Sequence, residues 1–96
     1  MAAYVFFDVV SVHPERMSAY RDKAFGSLKA FGGKLVAATG NIDHREGDWR
    51  PARIVMLEFP SMEKARAWYD SPEYQEVLPI RLDANRDKMV IFEGLS

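Results

Sequence analysis

The sequence predicts an α+β domain in which a four-stranded antiparallel sheet carries two helices on one face. The prediction depends on three observations. The chain has 96 residues, which is the length of a single domain. Four segments are dense in β-branched and aromatic residues, as strands are, and other stretches repeat apolar residues at helical spacing. These segments follow the order β-α-β-β-α-β, and we treat residues 1–96 as one domain without an internal linker.

The first half of the chain predicts a strand, a helix and a second strand. Residues 3–12 form the strand, and Pro14 suits the first turn of the helix that follows. Gly32 and Gly33 end this helix, because glycine adopts positive φ angles without strain. Residues 34–42 form the second strand. The apolar face of the helix comprises Met17, Tyr20, Ala24, Leu28 and Phe31.

The second half predicts a loop, a strand, two helical stretches and a last strand. Residues 43–52 are polar and form the loop, and residues 53–59 form the third strand. Ser61 and Ser71 are suited to cap the starts of the two helical stretches. Pro79 is expected to kink or interrupt the second stretch, and residues 88–93 form the last strand. The face of the second stretch that we expect inside comprises Tyr74, Val77, Leu78 and Leu82.

Two βαβ-like halves in this order are typical of the ferredoxin-like sandwich, whose strands lie in the order 4-1-3-2. Side chains of a strand alternate between the two faces of the sheet. Each of three strands has one purely apolar face, which we expect beneath the helices: Val5, Phe7, Val9; Val55, Leu57, Phe59; Val90, Phe92. The other faces are apolar but carry an acid: Tyr4, Phe6, Asp8, Val10; Ile54, Met56, Glu58; Met89, Ile91, Glu93.

The second face of the sheet predicts the assembly. With helices on one side only, this face would expose an apolar patch larger than monomers usually tolerate. Symmetric dimers are the commonest oligomers. We therefore expect a homodimer through the sheet face, with Asp8, Glu58 and Glu93 lining its core or rim.

Composition excludes several function classes. A formal net charge of -1 argues against nucleic-acid binding, which needs a clear basic excess. The absence of cysteine excludes disulfides, thiolate metal sites and a thiol nucleophile. The apolar run from Tyr4 to Val12 is too short to span a membrane and has no basic segment before it. We expect no membrane association and a cytoplasmic protein.

Two acids are the candidate catalytic residues. Asp8 and Glu58 lie on neighbouring central strands and face the same way. If the register brings them together in a poorly solvated cleft, one of them acquires a raised pKa and can act as a general acid or base. The alternative is that each carboxylate bonds a tyrosine, an arginine or the partner subunit.

Four further residues are candidates for ligand binding. Trp49 lies among charges in the loop, where it serves as a lid or subunit contact, or else packs on the local core. Trp68 and Tyr74 are candidate pocket walls, with helix core as the alternative. Arg81 could anchor a carboxylate ligand in a bidentate manner, or pair with Asp70, Glu73 or Asp83.

We expect neither a metal nor a cofactor. His13 and His44 are the only histidines, and stable metal sites usually need three or four protein ligands. A haem would require one of these two residues as its axial ligand. The sequence also contains no nucleophile elbow and no glycine-rich phosphate loop.

A set of features spread over almost the whole chain is typical of one known family. These features are Tyr20, Gly32-Gly33-Lys34, Glu46-Gly47-Asp48-Trp49, Pro51, Val55, Glu58-Phe59-Pro60, Ala65, Trp68-Tyr69, Ser71-Pro72, Tyr74, Arg81 and Glu93-Gly94. Through them the chain resembles the family of domains of unknown function DUF1330. The resemblance implies a ferredoxin-like subunit paired through its sheets, within the dimeric α+β barrel superfamily, and it implies no assigned reaction.

The superfamily contains cofactor-independent monooxygenases, haem-degrading enzymes, dehydratases and lactone isomerases, although fold alone does not determine function. We expect a small homodimeric protein that binds a small organic molecule between sheet and helices. A proton-transfer or cofactor-independent oxygenase-type reaction would then use Asp8 or Glu58. The alternative is a non-catalytic assembly or binding domain in which the acids and aromatic residues serve only assembly.

Overall fold

The computed structural model describes residues 1–96 and has the predicted order of strands and helices. The strands are β1 (Ala3–Asp8), β2 (Lys34–Thr39), β3 (Ile54–Phe59) and β4 (Lys88–Glu93). The α-helices are α1 (Ser18–Leu28), α2 (Met62–Asp70) and α3 (Pro72–Ala84). Short 3-10 turns at Pro14–Arg16 and Lys29–Phe31 flank α1.

The four strands form one antiparallel sheet in the order β2-β3-β1-β4, which is the predicted ferredoxin-like order. In the central pair, Val5 stands opposite Leu57, and on the other side of β1 it stands opposite Ile91. The three helices lie on one face of this sheet. The opposite face, which we call the open face, carries no helix.

Local sequence signals set the ends of the helices. Gly32 adopts a left-handed conformation with φ of 73°, and it ends the turn after α1 as predicted. Ser61 and Ser71 cap α2 and α3, because their side-chain oxygens accept hydrogen bonds from the backbone N–H groups of Lys64 and Tyr74. The helix α3 continues through Pro79, whose side chain faces solvent, so this proline does not interrupt it.

The core lies between the helices and the sheet and is built around aromatic side chains. Trp68 is fully buried, with its ring centroid 4.2 Å from that of Tyr74 and 5.4 Å from that of Phe59. Its indole N–H donates a hydrogen bond of 2.9 Å to Ser27 Oγ, so the one polar atom of this ring is satisfied. Gly33 gives the Phe59 ring its space, because a Cβ atom there would lie 2.5 Å from that ring.

Three of the four residues predicted on the inward face of α3 are buried, and Arg81 and Ala84 join them in place of Leu82. Arg81 is only 6% exposed and points inward, whereas Leu82 is 58% exposed. The expectation of a buried Leu82 was wrong because hydrophobicity alone favours leucine over arginine at an inward position. Burial of arginine requires a partner, and Asp87, which follows the helix, supplies one.

The side chains of β4 point to the opposite faces of the sheet from those predicted. Met89 and Ile91 stand opposite Phe7 and Val5 and pack beneath the helices, whereas Val90 and Phe92 are exposed on the open face. The prediction failed because β4 is apolar on both sides, so alternation gave no indication of which side is inside. Glu93 stands opposite Ala3 and therefore does not share the open face with Asp8 and Glu58.

The longest helix, α3, has 13 residues. No helix combines the length and apolar character that crossing a bilayer requires.

Candidate functional site

A cavity of about 530 Å³ lies between α1 and the half of the sheet formed by β2 and β3. Two apolar walls enclose it. The first wall belongs to the sheet, because alternate residues of the strands point toward α1, and it includes Phe7, Val55, Leu57, Leu35 and Ala38. The second belongs to the helices and includes Ala24, Phe25, Leu28 and Trp68. This volume is in the range of small-molecule pockets in proteins.

The polar lining residues gather at one end of the cavity. Arg53 immediately precedes β3 and lies beside the end of β1, where its carbonyl accepts a hydrogen bond of 2.9 Å from Val9 N. Asn85 follows α3 and forms an isolated β-bridge with Ser11, just beyond the same end of β1. Tyr20, in the first turn of α1, also lines this part of the cavity. The cavity therefore has a polar end and an apolar end.

A buried ion pair forms the back of the polar end. Arg81 Nη1 lies 3.3 Å from Asp87 Oδ2, and the two side chains are 7% and 1% exposed. Asp87 accepts two further hydrogen bonds, one of 2.8 Å from Val10 N and one of 3.2 Å from Asn85 Nδ2. Both carboxylate oxygens of Asp87 are thus occupied, which offsets part of the cost of burying its charge.

Two tyrosines continue the network from Arg81 to the cavity. Arg81 Nε donates a hydrogen bond of 3.2 Å to the Tyr74 hydroxyl, which lies 2.7 Å from the Tyr20 hydroxyl. Helix geometry produces this alignment, because Tyr74 and Arg81 are seven residues, or about two turns, apart and so lie on one face of α3. The guanidinium also lies over the Phe7 ring, 5.2 Å from its centroid.

Burial governs the protonation of this network. Burial raises the pKa of Tyr20 above its usual range, and the neighbouring Tyr74 adds to this effect. Burial likewise raises the pKa of Tyr74, against the opposite influence of Arg81. For Arg81, burial is the largest single influence and acts to lower the pKa, but the combined influence of Tyr74, Tyr20 and Asp87 outweighs it and the pKa is raised. At neutral pH the network therefore contains two neutral hydroxyls and a charged guanidinium.

The cavity lining carries an excess of positive charge. Asp87 is the only acid in the lining, and it is paired with Arg81. Arg21 and Arg53 also line the cavity, are exposed, and make no salt bridge. The cavity can therefore attract an anionic group to its polar end while its other end accommodates apolar surface.

The structure brings two of the six predicted site residues to the cavity. Arg81 and Trp68 line it, and Tyr74 lies directly behind Tyr20. Arg81 pairs with Asp87 rather than with Asp70, Glu73 or Asp83. Asp8, Glu58 and Trp49 do not line the cavity.

The two predicted catalytic acids do not meet. Asp8 stands opposite Ile54, whereas Glu58 stands opposite Tyr4, so four residues along the strands separate them. This offset corresponds to about 13 Å. Each carboxylate has a partner within the chain, although neither partner is a tyrosine or an arginine: Asp8 Oδ2 accepts a hydrogen bond of 2.8 Å from Trp49 Nε1, and Glu58 lies 3.7 Å from Lys34 Nζ. A catalytic role for either acid stays a prediction.

Trp49 lies on the open face, on the side of the sheet opposite the cavity. Its ring centroid is 6.0 Å from that of Phe6, and its indole N–H bonds Asp8. More than half of the side chain remains exposed. Trp49 therefore anchors the long loop between β2 and β3 to the open face, and its predicted role as a pocket wall or lid stays a prediction.

Sequence reasoning missed several polar residues of the site, among them Tyr20, Arg53, Asn85 and Asp87. Tyr20 was assigned to the apolar face of α1, although a tyrosine on a buried stripe also carries a hydroxyl that requires a partner. Asn85 and Asp87 follow the end of α3, where no periodic pattern indicates a role for them. The signal that could have identified them is their position. They lie two residues apart, immediately after a helix that contains an inward arginine.

No group of three or more His, Cys, Asp or Glu side chains is placed to hold a metal ion. The two histidines have local partners. His44 Nε2 lies 2.9 Å from the carbonyl of Pro51, and His13 lies 3.5 Å from Glu15.

Several solved structures share this fold at low sequence identity. A protein of unknown function from Rhodopseudomonas palustris is 18% identical, with a TM-score of 0.75 and coverage of 99% of this chain and 83% of the other. A dimeric ferredoxin-like protein of unknown function from Jannaschia is 13% identical, with a TM-score of 0.74 and coverage of 98% and 100%.

A third structure, SnoaB from Streptomyces nogalater, is described as a cofactor-independent oxygenase. It is 14% identical, with a TM-score of 0.63 and coverage of 99% of this chain and 93% of the other. No functionally curated protein matches the sequence. The family model for a domain of unknown function, DUF1330, matches residues 2–95, and the chain belongs to that family.

Proposed function

We propose that the protein binds a small amphipathic organic anion in the cavity between α1 and the sheet. The observation that carries the proposal is the separation of polar and apolar lining within one cavity. Tyr20, Arg53, Arg81 and Asn85 gather at one end, and aliphatic and aromatic side chains form the other. A ligand with a charged head and an apolar body matches both ends.

The charge of the lining supports an anionic head group. Because Asp87 neutralises Arg81, the unpaired charge belongs to Arg21 and Arg53 at the edge of the cavity. Asn85 Oδ1 is buried without a hydrogen-bond partner in the chain. A ligand that carries a hydroxyl or amine beside its anionic group would also satisfy this oxygen.

Oxygenation of such a ligand is a second candidate, which the similarity in fold to SnoaB favours. A proton-transfer or oxygenase-type reaction needs a base for the substrate proton. The only carboxylate of the cavity is Asp87, and both of its oxygens already accept hydrogen bonds. Binding is therefore better supported than catalysis.

A homodimer through the open face is part of the same proposal. Val90 and Phe92 are exposed there, beside the half-buried Tyr4, Phe6 and Met56. Covering these side chains with the same face of a second copy would remove a continuous apolar surface from water. The Jannaschia protein, which has the same fold, is described as dimeric.

The decisive experiment is an NMR titration with 2-naphthoate and its uncharged analogue 2-naphthamide. We expect shift changes at cavity residues such as Leu28, Leu35 and Leu57, and tighter binding of the anion. The substitution Ala38→Phe places a ring in the cavity from the exposed surface of β2 and should weaken binding by about tenfold or more, the equivalent of about 1.4 kcal/mol.

The matched control is Ala19→Phe, because Ala19 is exposed on α1 and does not line the cavity. This variant should bind both probes as the unmodified protein does. If neither probe binds, or if the shift changes lie outside the cavity, the proposal fails and the non-catalytic assembly domain becomes the better hypothesis.

A further inference from the structure

The hydroxyl protons of the buried network can be assigned by counting donors and acceptors. A guanidinium only donates hydrogen bonds, whereas a tyrosine hydroxyl donates one and accepts others. The Tyr74 hydroxyl therefore accepts from Arg81 Nε and has one proton of its own to place. Tyr74 is fully buried, and the one other hydrogen-bond partner of its hydroxyl is the Tyr20 hydroxyl, 2.7 Å away.

The direction of the bond between the two tyrosines follows from this count. If Tyr20 donated to Tyr74, the Tyr74 proton would be buried without an acceptor, which is costly. Tyr74 therefore donates to Tyr20. The proton of Tyr20 then has no acceptor in the chain, because this hydroxyl makes no other hydrogen bond. Tyr20 lines the cavity, whereas Tyr74 does not.

We infer that the Tyr20 hydroxyl is a hydrogen-bond donor to an oxygen of the ligand, and that Arg81 polarises it through Tyr74. This inference rests on the proposed function and identifies a residue that determines specificity. In a chain of hydrogen bonds that begins at a cation, each donor strengthens the next. A donor of this kind favours an oxygen that carries negative charge, as in a carboxylate, a phenolate or an enolate.

The test uses 4-nitrophenol, whose phenolate is coloured, and 4-nitroanisole, its uncharged methyl ether. Binding of both probes is measured by quenching of tryptophan fluorescence, since Trp68 lines the cavity. Absorbance then reports the ionisation of bound nitrophenol. We expect bound nitrophenol to ionise at lower pH than free nitrophenol, and the phenolate to bind at least about tenfold more tightly than the anisole.

Two substitutions separate the donor from its polarising group. Tyr20→Phe removes the donor and should abolish most of the preference for phenolate. Tyr74→Phe keeps the Tyr20 hydroxyl but cuts its link to Arg81, and should leave an intermediate preference. The matched control is Tyr69→Phe, because Tyr69 packs on Tyr74 at 5.4 Å between ring centroids but does not line the cavity. This variant should behave as the unmodified protein.

The outcomes distinguish the inference from the proposed function. If the unmodified protein binds neither nitro compound, the proposed function fails and the inference fails with it. If both compounds bind with equal affinity, the inference fails together with the anionic head group of the proposed function. If the unmodified protein prefers phenolate and Tyr20→Phe retains the full preference, the inference alone is overturned. The comparison of Tyr20→Phe with Tyr69→Phe decides the matter even if Tyr74→Phe does not fold.

Discussion

The two faces of the sheet differ in what their polar groups do. On the cavity face, Arg81, Asp87 and two tyrosines form a connected buried network. On the open face, the buried Asp8 has one bond, from the half-exposed Trp49. Because side chains alternate along a strand, Phe7 lines the cavity while its neighbours Phe6 and Asp8 face the other way. One short strand therefore serves two separate surfaces.

Each face also retains one buried oxygen without a partner in the chain. These atoms are Asn85 Oδ1 at the cavity and Asp8 Oδ1 on the open face. Buried polar atoms in folded proteins are almost always hydrogen-bonded. Under the proposed function, a ligand would approach the first atom and a second copy of the chain would approach the second.

The largest expected effect is on the buried network. Arg81→Ala leaves the Asp87 carboxylate buried without its counter-charge, and should lower the free energy of unfolding by about 3–5 kcal/mol. Trp49→Phe removes the hydrogen bond to Asp8 on the open face and should lower the free energy of unfolding by about 1–2 kcal/mol. Urea denaturation at neutral pH measures both. Equal losses in the two variants would contradict the difference between the faces.

The second effect is on assembly. Phe92→Glu places a charge on the open face and should weaken a homodimer by about a hundredfold or more, or about 2.8 kcal/mol. Leu82→Glu is the control, because Leu82 is exposed on α3, away from that face. Light scattering should find two chains of 11.0 kDa together for the unmodified protein and the control, and a single chain for Phe92→Glu. An unmodified protein that is monomeric at high concentration would refute the dimer.

The third effect is a loss of stability in alkali. Tyr20 and Tyr74 have raised pKa values in the folded state because they are buried. Below pH 10, the usual pKa of tyrosine, both residues are protonated whether the chain is folded or not, and their contribution is fully present. Above that pH the unfolded chain releases these protons first, so stability falls as the pH rises.

Urea midpoints measured at a series of pH values check this direction, and Tyr20→Phe should make the decline shallower. A midpoint that is constant, or that rises with pH above about 10, would be inconsistent with the burial of the pair.

The smallest effect concerns the helix caps. Ser61→Ala should destabilise the fold by about 1 kcal/mol through loss of the α2 cap. Ser71→Ala should destabilise the fold more than Ser61→Ala does, because Ser71 is buried and its hydroxyl also donates a hydrogen bond of 2.7 Å to the carbonyl of Trp68. It should also weaken ligand binding, since it loosens the start of the helix that positions Tyr74. Thermal denaturation ranks the two variants, and the reverse order would count against this coupling.

Much of the fold could be predicted because it depends on local signals. Gly32, Ser61 and Ser71 mark helix ends through their own backbone and side-chain chemistry, and the strands β1 and β3 have one face that is clearly more apolar. The predicted site was less accurate. Asp8 and Glu58 share a face as expected, but their separation depends on strand register, and no alternation pattern encodes register.

The order of elements, the ferredoxin-like topology and an unpartnered apolar sheet face follow from the sequence alone, because hydrophobic periodicity and helix caps act over a few residues. Long-range packing in the folded chain selects which side of β4 is inside and buries Arg81 rather than Leu82. It also decides which polar groups meet at the cavity. Those outcomes depend on partners distant along the chain, since Asp87 meets Val10 across 77 residues and Tyr20 meets Tyr74 across 54.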